Sequence, residues 1–378
     1  MKYIYMNIHV QIIFYYTIFH TYITSIEIPF EERLFECHFQ LQQPETNITK
    51  YFQLSLLRNY TYATYTFYKV SSSKYSHVHE NGTFPTSNVK YQFVTDHYTS
   101  PTSSNTTNTF TLPFYLITRN GTGLDVFTLP HTQTPQERKS NLVYSLYEQR
   151  ITQHLSFGIY LHNIEQGYLY FDSHSLLSNV YRVHKCKVTH HKYWGCDLNR
   201  IQIGEHVYDN EAPMFFEASG KGILAPKEFI EWIEREKVFE QMLKNWSCYF
   251  VERVFSVMEC DCGVVEALPR FTFWFGKEEV VVDTRYLFRK ANSQCRLKIS
   301  ENHNKNGNEW IFDFSLFRQY IGVFSYEEDA ILFYDRNEKY KGDEVSLYKG
   351  MLIGVVVLSE VPLICLYALI LLRQCKYK

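Results

Sequence analysis

The sequence has no surplus of basic charge: 38 Lys and Arg stand against 40 Asp and Glu, a formal net charge of −2. The electrostatic drive of a nucleic-acid binder is therefore missing, and no nucleic-acid partner is expected. Glycine (16) and proline (11) are sparse over 378 residues and are nowhere gathered into a long linker. Internal repeats are also missing, which argues against a repeat array. Cys260-Asp261-Cys262 has no second pair and no His cluster to complete a zinc site, so no metal and no cofactor are expected. What is abundant is aromatic: 31 Tyr and 29 Phe, residues that fit the pleated, half-buried surface of strands. With 45% hydrophobic and 21% charged residues the chain reads as globular.

Both ends carry targeting signals. Residues 1–25 hold a basic start, a short apolar run from about Ile8 to Ile23 and small residues at Thr24-Ser25, which predicts a cleaved signal peptide. An uncleaved anchor is the alternative. Residues 351–372 form a 22-residue, mainly apolar stretch in which Glu360 is the one charged residue, long enough to cross a bilayer as a helix, and Arg373, Lys376 and Lys378 follow. Positive residues favour the cytoplasmic side. The expected topology is type I in a membrane of the secretory pathway or cell surface, with a lumenal or extracellular ectodomain, a stalk over 341–350 and a cytoplasmic tail over 373–378.

Six Asn-x-Ser/Thr sequons, at Asn47, Asn59, Asn81, Asn105, Asn120 and Asn245, predict a glycoprotein on that route. Seven cysteines precede the span, namely Cys37, Cys186, Cys196, Cys248, Cys260, Cys262 and Cys295. An oxidising lumen would pair most of them, and the odd number leaves one free or linked between chains.

Short apolar strings set between turn residues predict a mostly β protein; examples are 157–161, 167–171 and 271–275. The polar stretch from Tyr98 to Asn108 reads as an exposed loop or hairpin tip. Two helices are expected, Ser140–Gln153 with Ser140 as cap, and Lys227–Leu243 with apolar residues at helical spacing.

Four motifs then fall in one order. Gln149 to Leu161 leads into Gly167 to Phe171. Tyr193-Trp194 is followed by Leu198, Ile201, Ile203 and Gly204. Cys262 precedes Leu268-Pro269, with Gly276 and Cys295 beyond. Trp310 to Phe324 (WIFDFSLFRQYIGVF) precedes Ile331 and Phe333. In this order and spacing the chain resembles the pepsin-like aspartic peptidases, and its membrane topology is similar to that of the beta-secretases. The resemblance implies a bilobal, mostly β fold with a C-terminal transmembrane helix, an N-terminal lobe over 26–135 and a C-terminal lobe over 136–340. It also implies a Cys262–Cys295 disulfide. Such a bridge closes a loop of about 33 residues and contributes a few kcal/mol in the chain-entropy model.

Peptidases of this family use two Asp carboxylates, one per lobe, each in an Asp-Thr/Ser-Gly turn. Two carboxylates that close cannot both ionise, which divides the acid and base roles between them. Here the resemblance places the C-lobe turn on Glu217-Ala218-Ser219 and the N-lobe turn on Val70-Ser71-Ser72, with Thr95 at the flap position. Asp313-Phe314 replaces a supporting Gly-Asp. A second carboxylate would have to come from Asp96 or Asp125.

Three readings follow. The favoured one is a membrane-anchored homologue without proteolytic activity, whose cleft binds an extended peptide or a protein. The alternatives are an active membrane-bound aspartic endopeptidase and an unrelated glycosylated β-rich surface receptor or adhesin.

Overall fold

The computed structural model describes residues 26–33, 36–42, 49–58, 61–64, 77–83, 90–100, 108–117, 125–131, 134–162, 166–171, 181–190, 193–218, 222–245, 247–253, 256–291, 293–303 and 307–339. The proposed signal peptide, stalk, membrane span and tail lie outside these residues. So do Val70, Ser71, Ser72, Ser219, Asn47, Asn59, Asn105 and Asn120. Among the described residues no helix is long and apolar enough to cross a membrane. The chain to Asn337 forms one compact unit; Glu338 onward forms another, of which only Glu338 and Lys339 are described.

Strands dominate, as the aromatic and β-branched content predicts. The first are β1 (Ile26–Arg33), β2 (Glu36–Gln42), β3 (Thr49–Ser55) and β4 (Tyr62–Thr64). Next come β5 (His77–Thr83), β6 (Lys90–Ser100), β7 (Asn108–Ile117) and β8 (Asp125–Thr128). Helices α1 (Pro135–Lys139) and α2 (Leu142–Glu148) precede β9 (Ser156–Leu161), β10 (Gln166–Phe171), β11 (Tyr181–Lys187), β12 (Gly195–Ile203), β13 (His206–Phe216) and β14 (Ile223–Ala225). After α3 (Lys227–Arg235) and α4 (Glu240–Lys244) come β15 (Cys248–Arg253), β16 (Ser256–Asp261), β17 (Phe271–Phe275) and β18 (Glu278–Val282). Helix α5 (Thr284–Leu287) leads to β19 (Phe288–Ala291), β20 (Gln294–Leu297), β21 (Ile299–Glu301), β22 (Trp310–Phe312), β23 (Tyr320–Ser325) and β24 (Ala330–Lys339).

The strands form sheets of 13, seven and four members. In the largest, β1 pairs with β10, so a strand near the start of the chain is hydrogen-bonded to one from beyond residue 165. The strings at 157–161, 167–171 and 271–275 fall in β9, β10 and β17; β10 and β17 show the alternating burial of strands that cover a core, and β9 is buried at every position but Tyr160.

Both predicted helices are shorter than expected. Helix α2 is capped by Asn141, whose side chain accepts the Val143 N–H, because Ser140 already closes α1. It ends before Arg150, which adopts a positive φ of 57°. The Lys227–Leu243 segment divides into α3 and α4 at a turn where Lys237 has φ 50°. Tyr98, read as part of an exposed loop, lies within β6 and is fully buried, with its ring edge-on to Phe52. The joining residues 101–107 fall outside the described set.

The abundant aromatics fill the core. Phe157 stacks on Phe324 at 4.7 Å, and Trp194 meets Phe324, Tyr326 and His131 edge-on at 5.3, 4.8 and 4.8 Å. Fully burying each such ring contributes about 1.5–3 kcal/mol, with a further increment of about 1 kcal/mol for edge-on geometry. Three disulfides brace the second half: Cys186–Cys196, Cys248–Cys260 and the expected Cys262–Cys295. Cys260 and Cys262 are both consumed in them, which removes that pair as a metal site.

Candidate functional site

Two strand arrangements repeat with pseudo-twofold symmetry. In the first half, β3 runs parallel to β8, β8 is antiparallel to β4, and β4 is parallel to β7. In the second half, β13, β22, β14 and β21 repeat the same relations. The registers superimpose residue by residue. Val126 faces Gln53 and Tyr62; Ile311 faces Phe215 and Leu224. Matching Gln53 to Phe215 makes Ser55 the counterpart of Glu217. The seven-residue step from Ser55 to Tyr62 then equals the step from Glu217 to Leu224.

The side chains confirm the match. Ser55 Oγ donates to Glu217 Oε2 at 3.3 Å, and the backbone N–H groups of Leu56 and Leu57 donate to the same oxygen at 3.3 and 2.8 Å. One carboxylate oxygen therefore takes three donors from the opposite half of the molecule. By strand register and hydrogen bonding, the turn that meets Glu217 from the first half is Ser55-Leu56-Leu57; Val70, Ser71 and Ser72, on which the resemblance placed it, lie outside the described residues. Strand β3 leads directly into this turn and ends on Ser55.

Glu217 sits in the connection just after β13, held by its own N–H on the Phe312 carbonyl at 2.9 Å. The adjoining Ala218 is buried and offers no hydroxyl. The residue keeps a small contact with solvent, but its carboxyl is enclosed, and the surroundings of the carboxyl set its titration. Burial is the largest influence and raises the pKa from 4.5 to about 7. Hydrogen bonds from Ser55, Leu57 and Leu56, and the Arg58 charge, oppose this without cancelling it.

No second carboxylate joins Glu217 among the described residues, whose hydrogen bonds to it come from Ser55, Leu56 and Leu57. Asp96 is buried in β6, with one oxygen accepting the N–H of His97 at 2.8 Å. The side chain of Asp125 is not among those described. Thr95 is not at a hairpin tip. It lies inside β6 opposite His77 and Pro113, with its hydroxyl 2.8 Å from His79 Nε2. The β5–β6 loop, 84–89, is outside the described residues.

Two supports come from positions the sequence flagged. Asp313 accepts from Lys298 Nζ at 2.8 Å and from the Ser315 N–H at 2.9 Å. Burial opposes its charge, but the Lys298 ammonium, the Ser315 bond and Arg318 hold it below the ordinary carboxylate range. Phe314 packs into the core 5.6 Å from Phe317. The lost Gly-Asp turn is thus replaced by a buried ion pair and a buried ring. Trp194, from the Tyr-Trp motif, donates its indole N–H to the Leu129 carbonyl at 2.9 Å, while the Leu129 N–H bonds the Ser55 carbonyl at 3.1 Å. A chain of contacts thus runs from the second half into the Ser55 turn.

Two pseudo-symmetric β halves, meeting at a carboxyl in the turn of each ψ-shaped strand arrangement, define the pepsin-like aspartic peptidase class; here one of the two carboxyls is a serine hydroxyl. A family model described as eukaryotic aspartyl protease matches residues 57–334, and the chain belongs to that family. The matched span starts just past Ser55 and Leu56. A comparison with curated proteins finds no match.

Proposed function

We propose that this protein is a pepsin-like aspartic peptidase homologue that binds an extended peptide or protein ligand in its interlobe cleft without cleaving it. The observation that carries the reading is the Ser55–Glu217 pair. Peptide hydrolysis in this class divides acid and base roles between two carboxylates whose proximity drives their pKa values apart. A hydroxyl cannot take either role, because it neither ionises near neutral pH nor shares a proton as a second carboxylate does. The surviving carboxyl is also engaged: its Oε2 is taken by Ser55, Leu56 and Leu57. The backbone of a pepsin-like cleft remains suited to an extended chain through main-chain hydrogen bonds and side-chain pockets.

The same reading includes a signal peptide over 1–25, a type I membrane helix over 351–372 and glycosylation. Its supports are the terminal sequence patterns, the sequons and three disulfides of the kind that persist in oxidising compartments. The test is incubation of the purified protein with peptide libraries from acid to neutral pH, alongside capture on an immobilised statine-type inhibitor. No cleavage product is expected. Inhibitor-sensitive cleavage that disappears in Glu217→Ala would overturn the proposal in favour of an active endopeptidase.

A further inference from the structure

The outermost strand of a sheet presents unpaired N–H and C=O groups, and natural proteins guard it with charge, shortness or a cover. Among the described strands, the outermost positions belong to β5 and β11, β18 and β21, and β15 and β19. Five of these six are guarded by charge or shortness. Strand β11 carries Arg182, Lys185 and Lys187. Strand β18 carries Glu278 and Glu279, β15 carries Glu252 and Arg253, and β19 carries Arg289 and Lys290. Strand β21 has three residues.

Strand β5 is the exception. It has seven residues, HVHENGT, and one charged side chain, Glu80, already tied to Lys139 at 3.2 Å. Its side chains are exposed on both faces, including Val78 at 42%. By charge and length alone it is the edge most open to pairing with a further strand.

Strand β5 also contains a complete sequon, Asn81-Gly82-Thr83. Residues two apart on a strand share a face, so Asn81 and Thr83 project together, opposite Gly82. The Gly82 face is occupied: a Cβ there would come within 2.6 Å of the Tyr91 ring. Tyr91 in turn packs edge-on to Tyr115 at 4.9 Å and accepts from Gln136 of α1 at 3.5 Å. The small middle residue is thus required by packing, while Asn81 and Thr83 stand exposed on the other side.

We propose that Asn81 carries an N-linked glycan and that this glycan guards the β5 edge against pairing with another copy of the chain. The inference rests on the secretory route proposed above. The co-reactant is a polyprenyl-diphosphate-linked oligosaccharide. Asn81 Nδ2 forms a bond to the anomeric carbon of the first sugar. The carbon–oxygen bond to the diphosphate breaks, the diphosphate leaves with the electron pair, and the amide loses one proton to the transferase base. A hydrated saccharide rooted in the strand denies a second strand the spacing of about 4.8 Å that ladder pairing needs.

The experiment expresses the full chain in a eukaryotic secretory host and solubilises it in detergent. Occupancy of each sequon is read by deglycosylation in heavy-oxygen water and peptide mass. Association is read by analytical ultracentrifugation. Asn81 is expected to be occupied. Asn81→Gln and Thr83→Ala should each lose that one glycan and about double the weight-average mass. Thr83→Ser, which keeps the sequon, should behave as wild type. Adding Val78→Lys to Asn81→Gln should return the protein to wild-type size by substituting a charge guard. Two results overturn the inference: an empty Asn81 beside occupied sequons elsewhere, or unchanged size in both glycan-less variants. Sequons empty throughout would refute the secretory route, and the inference with it.

Discussion

Replacing Glu217 with Gln isolates the energetic consequence of enclosing one carboxyl at the meeting point of the two halves. Its pKa is raised from 4.5 to about 7, chiefly by burial. For a group raised in the folded state, stability is complete below the unfolded value and is lost as pH rises through the folded one. The window here therefore opens near 4.5 and closes near 7. At 1.36 kcal/mol per unit the loss amounts to about 3 kcal/mol, an upper bound because the residue retains some solvent contact. Gln has the same shape and does not titrate, so the loss should vanish in the variant. Urea unfolding of both proteins, disulfides intact, at steps from below 4.5 to above 7 gives the difference directly. Glu217→Gln should gain about 3 kcal/mol on wild type across that range. A difference that stays constant with pH, or moves the opposite way, would refute the assignment of Glu217 to an enclosed site.

Ser55→Asp would set a second carboxylate against Glu217 and should steepen the loss of stability toward neutral pH by about 2 kcal/mol, read from urea midpoints at two pH values. It should not generate peptidase activity, because Leu57 and Ala218 remain in the turns. Lys298→Met leaves Asp313 buried and unpaired and should cost about 3–5 kcal/mol, whereas Lys298→Met with Asp313→Leu should recover most of it. Asp313 is depressed in the folded state, so the wild-type contribution holds above 3.8 and is lost as pH falls through the lower folded value. Trp194→Phe removes the donor to the Leu129 carbonyl and should cost about 1–3 kcal/mol by leaving a buried acceptor unsatisfied, measured by thermal unfolding.

The sequence by itself determined the strand content, the second-half motifs and one site residue. Trp194, Asp313 and Glu217 were legible through the resemblance, because the second-half motifs that carry it fall in one order and spacing. The Cys262–Cys295 bridge was legible through the resemblance alone, whereas Cys248–Cys260 depended on the pairing of β15 with β16 and Cys186–Cys196 joins strands of two different sheets. Ser55 was not found, since a serine between apolar residues carries no chemical signal of its own. The clue available was the seven-residue step to Tyr62, the same as from Glu217 to Leu224. Tertiary structure decided the rest, because parallel pairing between β3 and β8 joins residues about 70 apart, which no local periodicity encodes. It also decided that Glu217 meets a hydroxyl and two amide donors, since the charge state of a buried group is set by what lies across the interface and not by its neighbours in sequence.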